Sequence, residues 1–282
     1  TTTAIVSEYA KDWHSIENIN WPVNIRSVGR DAVTGTKWLN DIPSDYVTTG
    51  YGMSGILIKY KGLSSDVFIN QNINSISTDA FRGNVDITRV EFASASAIDT
   101  IPVAAFSGCS SLIEIINIPK TVTSIGQDAF KDTAWLNAQV DLVIINGLLI
   151  AYNGNASNIV IPQEVKIIYP YVFAGNKNIN SLEIDKYSSL TRIEAGTFAE
   201  CSSLATVKLS ESVRFVDKAA FAGTIWLNNQ MSGAGGGFIV YEDTYESIYR
   251  LLTYVGTNPQ VTIPDKTTEI GEYAFRDNRN IT

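Results

Sequence analysis

Phe106-Ser-Gly-Cys109-Ser-Ser-Leu112-Ile-Glu-Ile-Ile-Asn-Ile118-Pro119-Lys-Thr-Val122-Thr-Ser-Ile125-Gly-Gln-Asp-Ala-Phe130 begins and ends on the same residue after 24 steps. Its closing block has one pattern: an apolar residue, three variable positions, a mostly small residue, then Phe. The block recurs at Ile76–Phe81, Ile101–Phe106, Ile168–Phe173, Ile193–Phe198, Val216–Phe221 and Ile270–Phe275. A weaker copy, Val28–Val33, ends on Val instead of Phe. Successive final positions are 48, 25, 24, 43, 25, 23 and 54 residues apart, so units of about 24 alternate with units about twice as long.

The long units carry their own fixed marks. Trp-Leu-Asn starts five residues after the block, at Trp38, Trp135 and Trp226. A Tyr-x-Gly ends at Gly62, Gly154 and Gly256, always 19 residues before the next Phe. Only the stretch from Trp to Gly varies, at 24, 19 and 30 residues. Fixed flanks around a variable middle describe a framework that carries loops.

Strand-like runs lie between the blocks. Ile87–Phe92, Ile179–Ile184 and Leu204–Leu209 end on an apolar-x-apolar step, as do Val67–Ile69, Ile159–Ile161 and Val261–Ile263. Period-two alternation sends one face inward and the other to solvent. Sustained helical periodicity is hard to find. A unit of 24 residues cannot bury its apolar face alone, but stacked on like units it builds a continuous core. The expected fold is a β-rich solenoid, a right-handed superhelix with one parallel β-sheet and hairpins inserted in the long units. It is expected as a single domain over 1–282, with 1–15 an atypical partial unit and the last repeat cut short. The opening TTTAIV, without Met, suggests a processed or trimmed product, and the chain is expected to continue past Thr282.

The Phe106–Phe130 stretch, with Phe198-Ala-Glu-Cys201-Ser-Ser-Leu204 through Phe221 as a second copy, resembles the BspA-type (treponemal-type) leucine-rich repeat. The resemblance runs from about residue 16 to the end and is departed from at Val33, which stands where Phe is usual. It implies a leucine-rich-repeat solenoid of a bacterial cell-surface or secreted protein that adheres to host proteins or other cells. Fold by itself does not fix function.

Composition narrows the chemistry. The chain has 282 residues, is 45% apolar and 18% charged, and carries a net charge of −8. The apolar fraction suits a packed core, while the acidic balance argues against nucleic acid or anionic lipid as a partner. No apolar run approaches the length of a membrane span. One His and two Cys leave metal and imidazole chemistry short of parts. His14 lies in the least repeat-like segment and reads as exposed and inert. Cys109 and Cys201 hold the same place in units 92 residues apart, three to four coils along the stack. At about 4.8 Å per coil that is roughly 15–20 Å, too far for a disulfide, so both are expected as buried free thiols. Ser232-Gly-Ala-Gly-Gly-Gly237 lacks the Lys and the spacing of a phosphate loop and reads as a hinge. No enzyme, no cofactor and no metal is expected.

Function is therefore sought on the variable segments and on the solvent face of the sheet. Asp141–Tyr152 places Asn146-Gly147 between two apolar runs, a hairpin signal. Its counterparts are Tyr46–Tyr60 and Phe238–Tyr254. The third admits a helix, because Ile248, Leu251, Leu252 and Val255 have 3.6 spacing; the hairpin is favoured because its two equivalents read as strands. Tyr60, Tyr152 and Tyr254 recur at a fixed distance before Gly and read as packing framework. The non-recurring Tyr46, Tyr51, Tyr241, Tyr245 and Tyr249 are the candidate ligand contacts, since amphipathic aromatics suit recognition. On the sheet face the candidates are Glu91, Glu183 and Lys208, beside Phe68, Val160 and Thr262. The expected partner is an extracellular protein or glycan. The alternatives are a carbohydrate-binding or glycan-processing component and a structural spacer for a further domain.

Overall fold

The computed structural model describes residues 14–50, 53–232, 236–276 and 278–279. Tyr51, the central residues of the glycine-rich hinge and most of the atypical opening segment lie outside these. The chain gathers into two compact units, Thr1–Gln139 and Val140–Thr282.

In the first unit the elements run α1 (Lys37–Asp41), β1 (Tyr46–Thr48), β2 (Gly55–Tyr60), β3 (Asp66–Ile69) and β4 (Ile73–Ile76). They continue with β5 (Arg89–Phe92), β6 (Thr100–Ile101), β7 (Glu114–Ile116), β8 (Ser124–Ile125) and α2 (Ala134–Ala138). Strands β3, β5 and β7 form a parallel ladder, with Val67 opposite Val90 and Val90 opposite Ile115. A second, narrower parallel ladder pairs β6 with β8. The hairpin β1–β2 is antiparallel and joins β4 in parallel, so its inner strand takes the place of a coil's second strand.

The second unit repeats this plan. It comprises β9 (Leu142–Ile145), β10 (Leu148–Tyr152), β11 (Asn158–Ile161), β12 (Ile167–Ile168), β13 (Ser181–Ile184) and β14 (Arg192–Ile193). After them come β15 (Thr206–Lys208), β16 (Phe215–Val216), α3 (Ile225–Ser232), β17 (Phe238–Asp243), β18 (Ile248–Tyr254) and β19 (Glu269–Ile270). The wide ladder is β11–β13–β15 and the narrow one is β14–β16, while the hairpins β9–β10 and β17–β18 join β12 and β19. All three inserted segments are hairpins, including the one whose spacing also allowed a helix. Asn146 and Gly147 both have positive φ (53° and 88°), as a type I′ turn requires.

The β-solenoid is the fold the repeat dictates. Its sheet differs from the expected single one: each unit carries a wide and a narrow ladder. The narrow strands are two residues long, too short for alternation to reveal. Val261–Ile263, expected as a strand, forms none among the described residues.

The block Phe residues make the core. Phe81, Phe106 and Phe130 stack face to face, with centroids 4.7 and 5.7 Å apart. Phe173, Phe198 and Phe221 do the same at 4.8 and 5.1 Å. A framework Tyr opens each column (Tyr60–Phe81 5.6 Å, Tyr152–Phe173 5.2 Å) and a Trp ends it (Phe130–Trp135 4.9 Å, Phe221–Trp226 4.7 Å). Backbone bonds stitch the same path: the Phe81 and Phe106 N–H groups donate to the carbonyls of Ala105 and Ala129 (2.9 and 2.8 Å). The chain turns sharply at two places per coil. Two residues before the Phe, Asp79, Ala104, Asp128, Tyr171 and Gly196 are left-handed; two residues after it, Gly83, Gly108, Asp132, Gly175, Glu200 and Gly223 are left-handed. Gly and Asp tolerate that conformation best, and they fill most of these positions.

Candidate partner-binding surfaces

The wide ladders point every second residue to solvent. In the first unit the register places Asp66, Arg89 and Glu114 in one outward row and Phe68, Glu91 and Ile116 in the next. Arg89 ties the rows together, meeting Glu91 at 2.5 Å, Glu114 at 3.3 Å and Asp66 at 3.9 Å. Phe68 remains 47% exposed beside this charge cluster. In the second unit the corresponding rows are Asn158, Ser181, Thr206 and Val160, Glu183, Lys208. Lys208 bridges Glu183 at 2.6 Å and the Ser181 hydroxyl donates to Asn158 Oδ1 at 2.7 Å. Val160 is 53% exposed. Solvated pairs of this kind contribute about 0–1 kcal/mol to stability. The inner rows are interchangeable aliphatics and Phe, but the outer rows differ in charge, polarity and bulk between the units.

The hairpin tyrosines divide by environment. Tyr46 is half-buried, 5.0 Å from the Tyr60 ring, and its hydroxyl accepts a bond from the Phe68 N–H at 3.1 Å. It thereby closes the free edge of β3, and burial pushes its pKa up. Tyr241 and Tyr249 are buried, which withdraws both rings from solvent. Tyr241 donates to Asp243 at 3.3 Å with the Arg250 guanidinium 5.5 Å from its ring; Lys266 Nζ sits 4.0 Å over Tyr249. Tyr245 stands apart: it is 91% exposed at the tip of β17–β18. The Asp243 carboxylate fixes that tip by accepting from the N–H groups of Glu246 (3.1 Å) and Tyr245 (2.9 Å), which hold its pKa below the usual range. Tyr171 and Tyr187, at 67% and 70% exposure, are surface aromatics that no spacing marked out.

The framework tyrosines explain the Tyr-x-Gly signature. Tyr152 Oη accepts the Ala156 N–H (2.8 Å), Tyr254 Oη accepts the Asn258 N–H (3.2 Å), and Tyr60 meets the Ser64 backbone in the same way. Trp-Leu-Asn likewise has a structural role that the Thr two residues before each Trp signals. Thr36, Thr133 and Thr224 are buried N-caps whose hydroxyls accept from Leu39, Leu136 and Leu227 N–H at 3.1–3.2 Å. Each also donates to the carbonyl of the block's last residue at 2.7–2.8 Å.

Cys109 and Cys201 are free and fully buried, and each Sγ donates to a Phe carbonyl of the preceding coil, Phe81 and Phe173, at 3.0 Å. Burial pushes the Cys109 thiol up to about 11 and raises Cys201 too. Both are therefore neutral thiols at physiological pH. His14 is exposed, its Nδ1 donating to the Gly35 carbonyl at 3.0 Å. Among the described residues no three His, Cys, Asp or Glu side chains are grouped to hold a metal ion, and no helix is long and apolar enough to cross a membrane.

A family model for the BspA type leucine rich repeat region matches six copies across residues 60–145, 151–231 and 250–282. No curated protein matches the chain in sequence. Among solved structures, a Treponema pallidum leucine rich repeat protein is 23% identical, with 64% of this chain and 86% of that chain covered and a TM-score of 0.42. A leucine-rich repeat protein from Bacteroides ovatus is 19% identical, with 80% and 59% covered and a TM-score of 0.35. A leucine rich cell surface protein from Faecalibacterium prausnitzii is 16% identical, with 85% of each chain covered and a TM-score of 0.28.

Proposed function

The chain belongs to the BspA-type leucine-rich-repeat family, and on that premise we propose that it is a non-catalytic bacterial cell-surface or secreted protein that adheres to an extracellular protein. The observation that carries this reading is the contrast between the two wide ladders. They share an inner row set by packing, whereas their outer rows, which packing leaves unconstrained, differ in chemistry. Phe68, Glu91 and Ile116 form a mixed apolar and charged track in the first unit, and Val160, Glu183 and Lys208 form one in the second. Half-exposed aromatic and aliphatic residues rimmed by charge are the usual make-up of a recognition surface. Tyr245 adds a projecting aromatic at a hairpin tip whose backbone Asp243 hydrogen-bonds. The buried thiols and the solitary imidazole favour binding over turnover.

The test is a pull-down against extracellular-matrix proteins, run beside a glycan array. Phe68→Ala is expected to weaken capture of a protein partner about tenfold, the loss typical of a central interface aromatic. Tyr245→Ala measures the hairpin's share. Capture unchanged by Phe68→Ala, Val160→Asp and Tyr245→Ala together overturns these surfaces as the binding sites. Glycan binding with turnover of a chromogenic sugar replaces the adhesin by a glycan-processing protein.

A further inference from the structure

The first unit holds a cleft of about 380 Å³ that the reading above does not use. That volume is within the ordinary range for small-ligand pockets. One side is the turn Gly29–Thr34; the other is Ile58 and Lys59 of β2 with Ser77–Asp79. Ala32, Val33, Leu39 and Ile58 supply an apolar wall, and Arg30, Lys59 and Arg82 supply cations.

Each charged group there has a defined state of satisfaction. Asp79 is spent on the two arginines: Oδ2 lies 2.8 Å from Arg30 Nε and Oδ1 3.2 Å from Arg82 Nη1. Asp31 accepts from the Thr34 hydroxyl at 3.3 Å. Lys59 Nζ donates to the Asp79 carbonyl at 3.0 Å, its one described hydrogen bond, although an ammonium has three protons to give. Burial lowers its pKa, opposed by the Asp79 charge, so the ammonium is only partly compensated in this setting.

Ser77 is the decisive residue. It is 6% exposed and lines the cleft, and its Oγ, shielded from solvent in this rotamer, has no hydrogen-bond partner. Buried hydroxyls are almost always paired, because an unpaired one forfeits its bonds to water. At the same block position the other copies carry Gly29, Pro102, Gly126, Tyr169, Glu194, Asp217 and Gly271, so the fold does not require a hydroxyl there.

We propose that this cleft binds a carboxylate on a short aliphatic stem, with Lys59 donating to the carboxylate, the Ser77 hydroxyl turning about its χ1 into the cleft to donate as well, and Ala32, Val33, Leu39 and Ile58 covering the stem. The carboxylate can come from a free small acid or from an acidic residue of a peptide. The proposal is independent of the ladder surfaces, and neither Phe68 nor Tyr245 lines the cleft.

The experiment is calorimetric titration of the full chain with butyrate, with butyramide as the uncharged control, with inorganic phosphate, and with a blocked Gly-Glu-Gly peptide. Butyrate is expected to bind on the order of millimolar and butyramide not to bind. Lys59→Met is expected to abolish binding and Lys59→Arg to retain part of it. Ser77→Ala is expected to weaken binding about fivefold to tenfold while leaving the melting temperature unchanged or higher, because it deletes an unpaired hydroxyl. That opposition between affinity and stability separates loss of a ligand contact from loss of fold. Peptide binding tenfold tighter than butyrate identifies a protein carboxylate as the source, and the reverse identifies a free acid. Equal affinity for butyrate and butyramide, binding of phosphate alone, no binding of any probe, or full binding by Lys59→Met overturns the proposal.

Discussion

Gly62 lies so close beneath Tyr60 that a Cβ added there would stand 2.4 Å from the tyrosine hydroxyl. Gly154 under Tyr152 and Gly256 under Tyr254 repeat the relation, with approaches of 2.6 Å to the Tyr152 ring and 2.5 Å to the Tyr254 hydroxyl. None of the three glycines has a positive φ. Their requirement is space for a ring that reaches back to the backbone four residues on.

Gly62→Ala is therefore expected to destabilise the protein by about 1–3 kcal/mol, since Tyr60 is only 3% exposed and has nowhere to retreat. Gly154→Ala is expected to cost less, because Tyr152 is only partly buried. Urea denaturation of the two variants beside the parent measures the difference.

Thr133 is fully buried and both accepts from Leu136 N–H and donates to the Phe130 carbonyl. Thr133→Val keeps the shape and removes both bonds. The expected loss is about 1–2 kcal/mol. Thr133→Ser is expected to retain most of the stability, and thermal melts of the pair decide whether the hydroxyl or the methyl matters.

Glu200 occupies the left-handed position (φ 60°) that Gly83, Gly108, Gly175 and Gly223 fill in other coils. Glu200→Gly relieves that strain against the added freedom of the unfolded chain. The net expectation is a gain of about 0.5–1 kcal/mol. A lower denaturation midpoint for this variant counts against the two-turn account of the coil.

Cys109 links the core to alkaline pH. Its thiol is held up to about 11 in the fold against an ordinary value of 9.0. Between those values the folded chain keeps a proton that the unfolded chain releases, so stability is full below about pH 9 and falls as pH rises to about 11. The expected contribution is about 2–3 kcal/mol, so Cys109→Ala is expected to lose that much less than the parent between pH 8 and pH 11. In the native state neither thiol is expected to react with Ellman's reagent at pH 8, and both react after unfolding.

The sequence disclosed the solenoid because its core is periodic. Phe at fixed intervals and apolar-x-apolar steps are direct records of stacked inward positions, and Asn146-Gly147 records its own turn. The narrow ladders escaped because a two-residue strand such as Thr100–Ile101 has no period. Val261–Ile263 misled because an apolar step forms a strand only where another strand pairs with it. Side-chain exposure on the hairpins was also hidden. Tyr241, Tyr245 and Tyr249 are alike in spacing and type, yet the paired strands bury Tyr241 and Tyr249 while the turn between them projects Tyr245. Ser77 gave no signal, since a serine in a variable position becomes informative only when its missing partner is visible.

Trp135 and Trp226 close their Phe columns, and each column opens on a Tyr at the far side. Between those two seams each coil repeats the same stacked Phe contact with the next. A coil of about 24 residues added or removed between a column's Tyr and its Trp would therefore leave both junctions as they are, because each coil bonds only to its neighbours.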